Sequence, residues 1–175
     1  SAFAINANGE TNLKIYNNMM YLGTAGATTL RGLYVGTLST GANMDIVNNT
    51  IDSLVSGATS SSFVGMELNS ALGTVNVRKN TLTRLTYPTT SSGTLRGIYY
   101  NASGATALNI DSNIVARNTL SAAGGTGAFE AISVNALTAG TPLNIRGNII
   151  YGNRKGGASG SIYGARISTA NVVFA

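Results

Sequence analysis

The chain contains no cysteine, no histidine and no tryptophan. Without thiolates or imidazoles it has no cysteine nucleophile, no Cys/His metal site and no histidine-based triad. The lack of disulfides leaves the redox compartment open, because an exported domain needs them only when its core is too small. Charge is also scarce, at 10% of 175 residues, yet 43% of the chain is hydrophobic, which separates it from charge-rich, apolar-poor disordered sequences. No apolar run approaches the roughly 18 residues of a membrane-spanning helix. Ser1 is not followed by a charged and then an apolar leader segment. The expectation is a soluble chain, with any export signal upstream.

What is abundant is small and neutral. Glycine alone accounts for 22 positions, and Ser, Thr, Asn and Ala fill most gaps between short apolar runs. That composition suits many tight bends better than long helices. A repeat then emerges, and periods of 20–50 residues diagnose solenoids. Five segments share the pattern apolar-x-apolar-x-x-Asn, namely Leu13–Asn18, Met44–Asn49, Val75–Asn80, Leu108–Asn113 and Leu143–Asn148, with their asparagines 31, 31, 33 and 35 residues apart. A second signature, a small residue before an alternating apolar pair, begins at Gly32, Gly65, Gly97, Ala131 and Gly164 at spacings of 33, 32, 34 and 33. Loops such as 23–29, 89–93 and 124–127 absorb the length variation.

A further apolar run follows each asparagine, as in Met19-Met20-Tyr21-Leu22 and Ile149-Ile150-Tyr151. Each repeat thus predicts three short period-2 strands and no helix. In the third coil Val75, Val77, Leu82, Leu85, Leu95, Ile98 and Tyr100 are the expected inward side chains. So few cannot order a coil alone, and stacking on neighbours is required. A leucine-rich repeat shares the Leu143-x-Ile145-x-x-Asn148 core, but its period is about 20–29 residues. Its leading leucine is also missing, the positions here being Glu10, Gly41, Leu72, Ala105 and Gly140.

From about Phe3 to Phe174 the repeats resemble right-handed parallel β-helices, the pectin-lyase-like solenoids, and in particular the Asn-rich repeats of very large bacterial surface proteins. The expected fold is an all-β right-handed parallel β-helix of about five coils of 31–35 residues, three short strands per coil, spanning 1–175 as one domain. The resemblance implies a structural ladder of inward asparagines at Asn18, Asn49, Asn80, Asn113 and Asn148. The residues alone leave a second reading open, in which these asparagines merely tolerate a left-handed turn.

Many pectin-lyase-like solenoids cleave polysaccharides, which requires converging carboxylates or a Ca²⁺ site. The only acids are Glu10, Asp45, Asp52, Glu67, Asp111 and Glu130. Counting along the repeat places Asp45 in a column with Lys14 and Asn76, Asp111 between Arg78 and Arg146, and Glu130 with Arg31 and Arg96. Such columns read as ion pairs that support stacking. The family's Asp-Asp and His-Gly motifs are absent. The expectation is therefore no enzyme, no metal and no cofactor.

A net charge of +5 is spread over all coils without a dense basic stripe, which argues against a nucleic-acid partner and for weak attraction to anionic surfaces. Tyr34 and Tyr99 share an outward column flanking Glu67 and are the candidate glycan contacts. Regular outward threonines, which an ice-binding face would need, are missing from the column Lys14, Asp45, Asn76, Asn109 and Asn144. Phe3-Ala4-Ile5 begins mid-repeat and Asn171-Val172-Val173-Phe174 begins a sixth. The chain therefore reads as a segment or subunit of a longer solenoid or filament: a structural and adhesive module at an extracellular surface, joined end to end to coils of the same or identical chains. A carbohydrate-binding or polysaccharide-degrading module of the same fold is the alternative.

Overall fold

A computed structural model describes residues 2–21, 24–25, 29–39, 41–57, 62–70, 73–88, 93–121, 126–157, 159–168 and 173–174. Every described strand pairing is parallel, and neighbours in space are equivalent strands of successive repeats. The result is an all-β, parallel-stranded solenoid of about four to five turns. No helix among the described residues is long and apolar enough to cross a membrane.

The strands fall into four sheets. Sheet I holds Ala2–Ala7, Leu30–Val35, Phe63–Leu68, Leu95–Asn101, Phe129–Asn135 and Ile162–Ser168. Sheet II holds Asn12–Tyr16, Asn43–Val47, Thr74–Arg78, Ala107–Asp111, Pro142–Arg146 and Val173–Phe174. Sheet III holds Met19–Tyr21, Thr50–Asp52, Thr81–Thr83, Ile114–Ala116 and Ile149–Tyr151. The expectation of three strands per coil omits sheet IV, whose two-residue strands are Thr24–Ala25, Val55–Ser56, Thr86–Tyr87, Thr119–Leu120 and Arg154–Lys155. Two residues are too short for an alternation to register as a strand. Of the expected sixth repeat, Asn171 and Val172 lie outside the described residues, and Val173–Phe174 pairs with Pro142–Leu143. The low-complexity loops lie partly outside them as well. Parallel strands on every side of the coil also exclude the leucine-rich horseshoe, whose strands line one face.

All seven inward residues expected in the third coil are fully buried. Sheet II alternates strictly, as in Thr74–Arg78, whereas Leu30–Val35 and Leu95–Asn101 place two consecutive residues inward at Gly32-Leu33 and Gly97-Ile98. That double inward step explains the small residue of the second signature, because side chains of sheet III press against it. A β-carbon at Gly32 would lie 2.6 Å from the Gly65 carbonyl oxygen and 2.7 Å from Ile51 Cγ2. One at Gly97 would lie 2.5 Å from the Ala131 carbonyl oxygen and 2.8 Å from Val115 Cγ1. At Gly164 the nearest atom outside its immediate neighbours, Ile150 Cδ1, would be 3.9 Å away.

This difference within one column predicts unequal tolerance. Gly97→Val should lower stability by about 1–3 kcal/mol or more through overpacking. Gly164→Ala should change it by less than about 0.5 kcal/mol. Urea midpoints of the two variants check the contrast, and equal losses would refute the packing account.

Candidate functional site

Sheets II and III meet at a corner made by one left-handed residue per coil: Asn17, Asn48, Lys79, Ser112 and Gly147, with φ between 55° and 62°. The asparagine that follows in each coil is not the left-handed residue, so the turn-only reading fails. Its side chain instead enters the solenoid and closes an amide column. Nδ2 of Asn18 donates to Oδ1 of Asn49 at 2.9 Å, Asn49 to Asn80 at 3.0 Å, Asn80 to Asn113 at 3.0 Å and Asn113 to Asn148 at 2.9 Å.

Asn80, fully buried, shows the complete pattern. Its Oδ1 accepts from the backbone N–H of Asn49 at 2.9 Å and from Asn49 Nδ2. Its Nδ2 donates to Asn113 Oδ1 and, at 2.9 Å, to the Ile46 carbonyl one coil back. All four hydrogen-bonding sites of the amide are therefore filled. The equivalent carbonyls of Ile15, Val77 and Ile110 are met by Asn49, Asn113 and Asn148 at 2.8–2.9 Å.

A second, shorter column was not anticipated. At the corner between sheets III and IV, Ser53, Arg84, Arg117 and Gly152 are left-handed, and the following positions are Leu54, Leu85, Asn118 and Asn153. Asn118 Nδ2 donates to Asn153 Oδ1 at 2.9 Å, and Asn118 Oδ1 accepts from the Leu85 backbone at 2.9 Å. Asn118 and Asn153 each lie five residues after a ladder asparagine, a signal present in only two repeats.

On the outer face of sheet I, register places Tyr34, Glu67 and Tyr99 in one column, and Arg31, Val64, Arg96 and Glu130 in the next. The structure thus brings Tyr34 and Tyr99 to one face, but Glu67 stands between them and guanidiniums cover their rings. Arg31 lies 4.9 Å from the Tyr34 centroid and Arg96 4.4 Å from that of Tyr99. Glu67 bonds Arg31 and accepts from Asn69 at 2.9 Å. Glu130 receives Arg96 at 2.7 Å and Arg166 from the next coil. Tyr99 lines a depression of about 230 Å³ beside Glu130, Ser133 and Arg166.

Two further acids are held similarly, whereas Asp111, expected to pair in its column with Arg78 and Arg146, lies in register with both but accepts from Ser112 Oγ at 3.1 Å and forms no salt bridge with either. Asp52 pairs with Arg84 and accepts from Thr83 at 3.1 Å. Asp45 accepts from Asn76 at 2.7 Å and lies 3.9 Å from Arg78. Among the described residues no three Asp, Glu, His or Cys side chains gather to hold a metal. No protein-family model, no curated protein and no solved structure matches this chain.

Burial pushes the Glu130 carboxyl up, but hydrogen bonds from Arg166, Arg96 and Ser133 overcome it and hold the group below its ordinary 4.5. The Arg84 hydrogen bond, against burial and aided by Thr83 and Ser53, holds Asp52 below its ordinary 3.8. A carboxylate lowered on folding stabilises the fold above its unfolded pKa, and that stability is lost as pH falls through the folded value. Urea midpoints should therefore be flat toward neutrality and fall once pH drops beneath about 4.5, the ordinary Glu130 value. Glu130→Gln should begin from a lower midpoint and show a shallower acid slope, and an unchanged slope would contradict the assignment.

The amide column makes its own prediction. Asn80→Leu removes the partners of the Asn49 and Asn113 side chains and of the Ile46 carbonyl, and should cost roughly 2–5 kcal/mol. Asn80→Gly should cost a similar amount, since Gly supplies no amide, whereas Lys79→Gly should be neutral or stabilising at its φ of 56°. Denaturant unfolding of the three variants tests this, and a harmless Asn80→Gly would contradict the ladder.

Proposed function

We propose that the chain is a non-catalytic structural and adhesive repeat module of an exported cell-surface protein or filament. The observation that carries this reading is the disposition of the carboxylates. Glu67, Asp52, Asp45 and Glu130 each have a guanidinium partner, and the partner comes from another coil. Acids committed to joining coil to coil serve a rod, whereas glycoside hydrolysis needs two that converge on a substrate. We take the coil as right-handed, the hand that parallel crossovers follow. On this reading it is of the pectin-lyase-like kind.

Charge distribution supports end-to-end association. Residues 1–70 hold two basic and four acidic side chains, whereas residues 71–175 hold nine basic and two acidic. Because the coils stack in sequence order, this makes the rod acidic toward one end and basic toward the other. Ile150 and Ile162, in register with the buried Val115 and Phe129, are 37% and 54% exposed. A further coil, of this chain or of an identical one, would cover them. Opposite potentials would orient that encounter head to tail.

Electron microscopy of the purified chain should show rods that lengthen at low salt and shorten as salt screens the ends. Incubation with pectin, alginate and neutral glycans should release neither reducing ends nor unsaturated products. Calcium-dependent product formation would establish the degradative alternative, and rods of salt-independent single-chain length would refute head-to-tail assembly.

A further inference from the structure

Five arginines are matched by acids: Arg31 by Glu67, Arg78 by Asp45, Arg84 by Asp52, and Arg96 and Arg166 by Glu130. Among the described residues Arg117, Arg146 and Arg154 have no carboxylate within salt-bridge distance, and of these Arg117 and Arg154 line one depression at a corner of the solenoid. Arg117 is the left-handed corner residue between sheets III and IV, at φ 57°, and Arg154 follows that corner one coil on, in register with Thr119.

The column of Arg117 runs Arg84, Arg117, Gly152. Glycine in the last coil leaves open the space that an arginine occupies in the two before it. The result is an open depression of about 410 Å³ lined by Arg117, Thr119, Tyr151, Gly152 and Arg154. Tyr151 is 47% exposed, with the Arg117 guanidinium 5.8 Å from its ring centroid. A smaller depression of about 180 Å³, bordered by Thr83 and Arg84, shares Arg117 and Tyr151 with it.

The backbone under this depression is built differently from the same corner in earlier coils. Leu54 and Leu85 give way to Asn118 and Asn153. Asn153 Oδ1 accepts both the backbone N–H of Asn118 at 3.1 Å and its Nδ2, while Asn153 Nδ2 donates to the Val115 carbonyl at 2.8 Å. The amide pair therefore fixes the residue after Arg117 to the residue before Arg154. Two unmatched guanidiniums on a pinned backbone are a preorganised anion site.

We propose that this corner binds a sugar bearing a tetrahedral ester oxyanion, sulfate or phosphate. Three terminal oxygens give the two guanidinium forks and the Thr119 hydroxyl an acceptor each, and the exposed Tyr151 ring offers a face to the pyranose. A phosphodiester polymer fits less well, since it has two free oxygens per phosphate and needs cations repeated along its track. The inference rests on the adhesive part of the function proposed above and supplies its ligand class.

The test is calorimetric titration of the whole chain with glucosamine 6-sulfate, glucose 6-phosphate, glucose and inorganic sulfate. The esters should bind and glucose should not, with the tighter ester naming the source. Arg117→Gln and Arg154→Gln should each weaken ester binding roughly tenfold or more, the loss of a charge-assisted hydrogen-bonded contact. Tyr151→Ala should weaken the esters but not inorganic sulfate. Lys79→Gln, at the corner between sheets II and III, should change nothing. Glucose binding as tightly as the esters, or Lys79→Gln weakening them as much as Arg117→Gln, would overturn the site. Rod length and urea midpoints of the same variants should match the parent, so a failed site is distinguished from a failed rod.

Discussion

The side-chain amide is the constraint on which the rest of this solenoid depends. A corner made by one left-handed residue lets the chain pass from sheet II to sheet III without a loop, but it leaves a strand-end carbonyl and a backbone N–H pointing into the core. Buried and unpaired, each would cost about 1–3 kcal/mol. Asparagine supplies two donors and a doubly accepting oxygen on one short arm, so a single residue type satisfies both groups and its own copy in the next coil. The period follows from this. Coils differ in length by several residues, yet the asparagines remain in register because the column tolerates no offset, and a one-residue slip would turn every inward side chain outward.

Once register is held, the other columns fall into place by like stacking on like. The outward face of sheet II carries a second chain of amides running the opposite way: Asn144 donates to Asn109 at 2.8 Å, Asn109 to Asn76 at 2.8 Å, and Asn76 to Asp45 at 2.7 Å. Ending such a relay on an ion is favourable, because each amide polarises the next toward the charge. Asp45 therefore belongs with the asparagines beyond it as much as with Arg78. On sheet I the same logic uses charge, with each carboxylate bridged to arginine in an adjacent coil.

Columns were legible in the sequence wherever one residue type recurs in every coil. The five asparagines, the Gly/Ala column and the seven inward residues of the third coil could be read from spacing, since stacking forces repetition. Three features escaped for physical reasons. Sheet IV is two residues deep, too short for an alternation. The Asn118–Asn153 pair occupies only two coils, below the number that marks a period. The guanidiniums over Tyr34 and Tyr99 come from a neighbouring column, which spacing along one column does not show.

That division separates scaffold from function. Inward positions are constrained because each side chain packs against or hydrogen-bonds its counterparts in the neighbouring coils, so a change there is felt in three coils. Outward corner positions have no such obligation: Ser53, Arg84, Arg117 and Gly152 share one backbone conformation while their side chains range from none to a guanidinium. The left-handed corner therefore acts as a fixed mount on which side chains vary without disturbing the coil. Chemistry that differs from coil to coil, such as the change from an acid-paired Arg84 to an unmatched Arg117 beside a glycine, can arise there at little structural cost. In a protein whose interior is compelled to repeat, side-chain chemistry is freest at the positions that break the repeat.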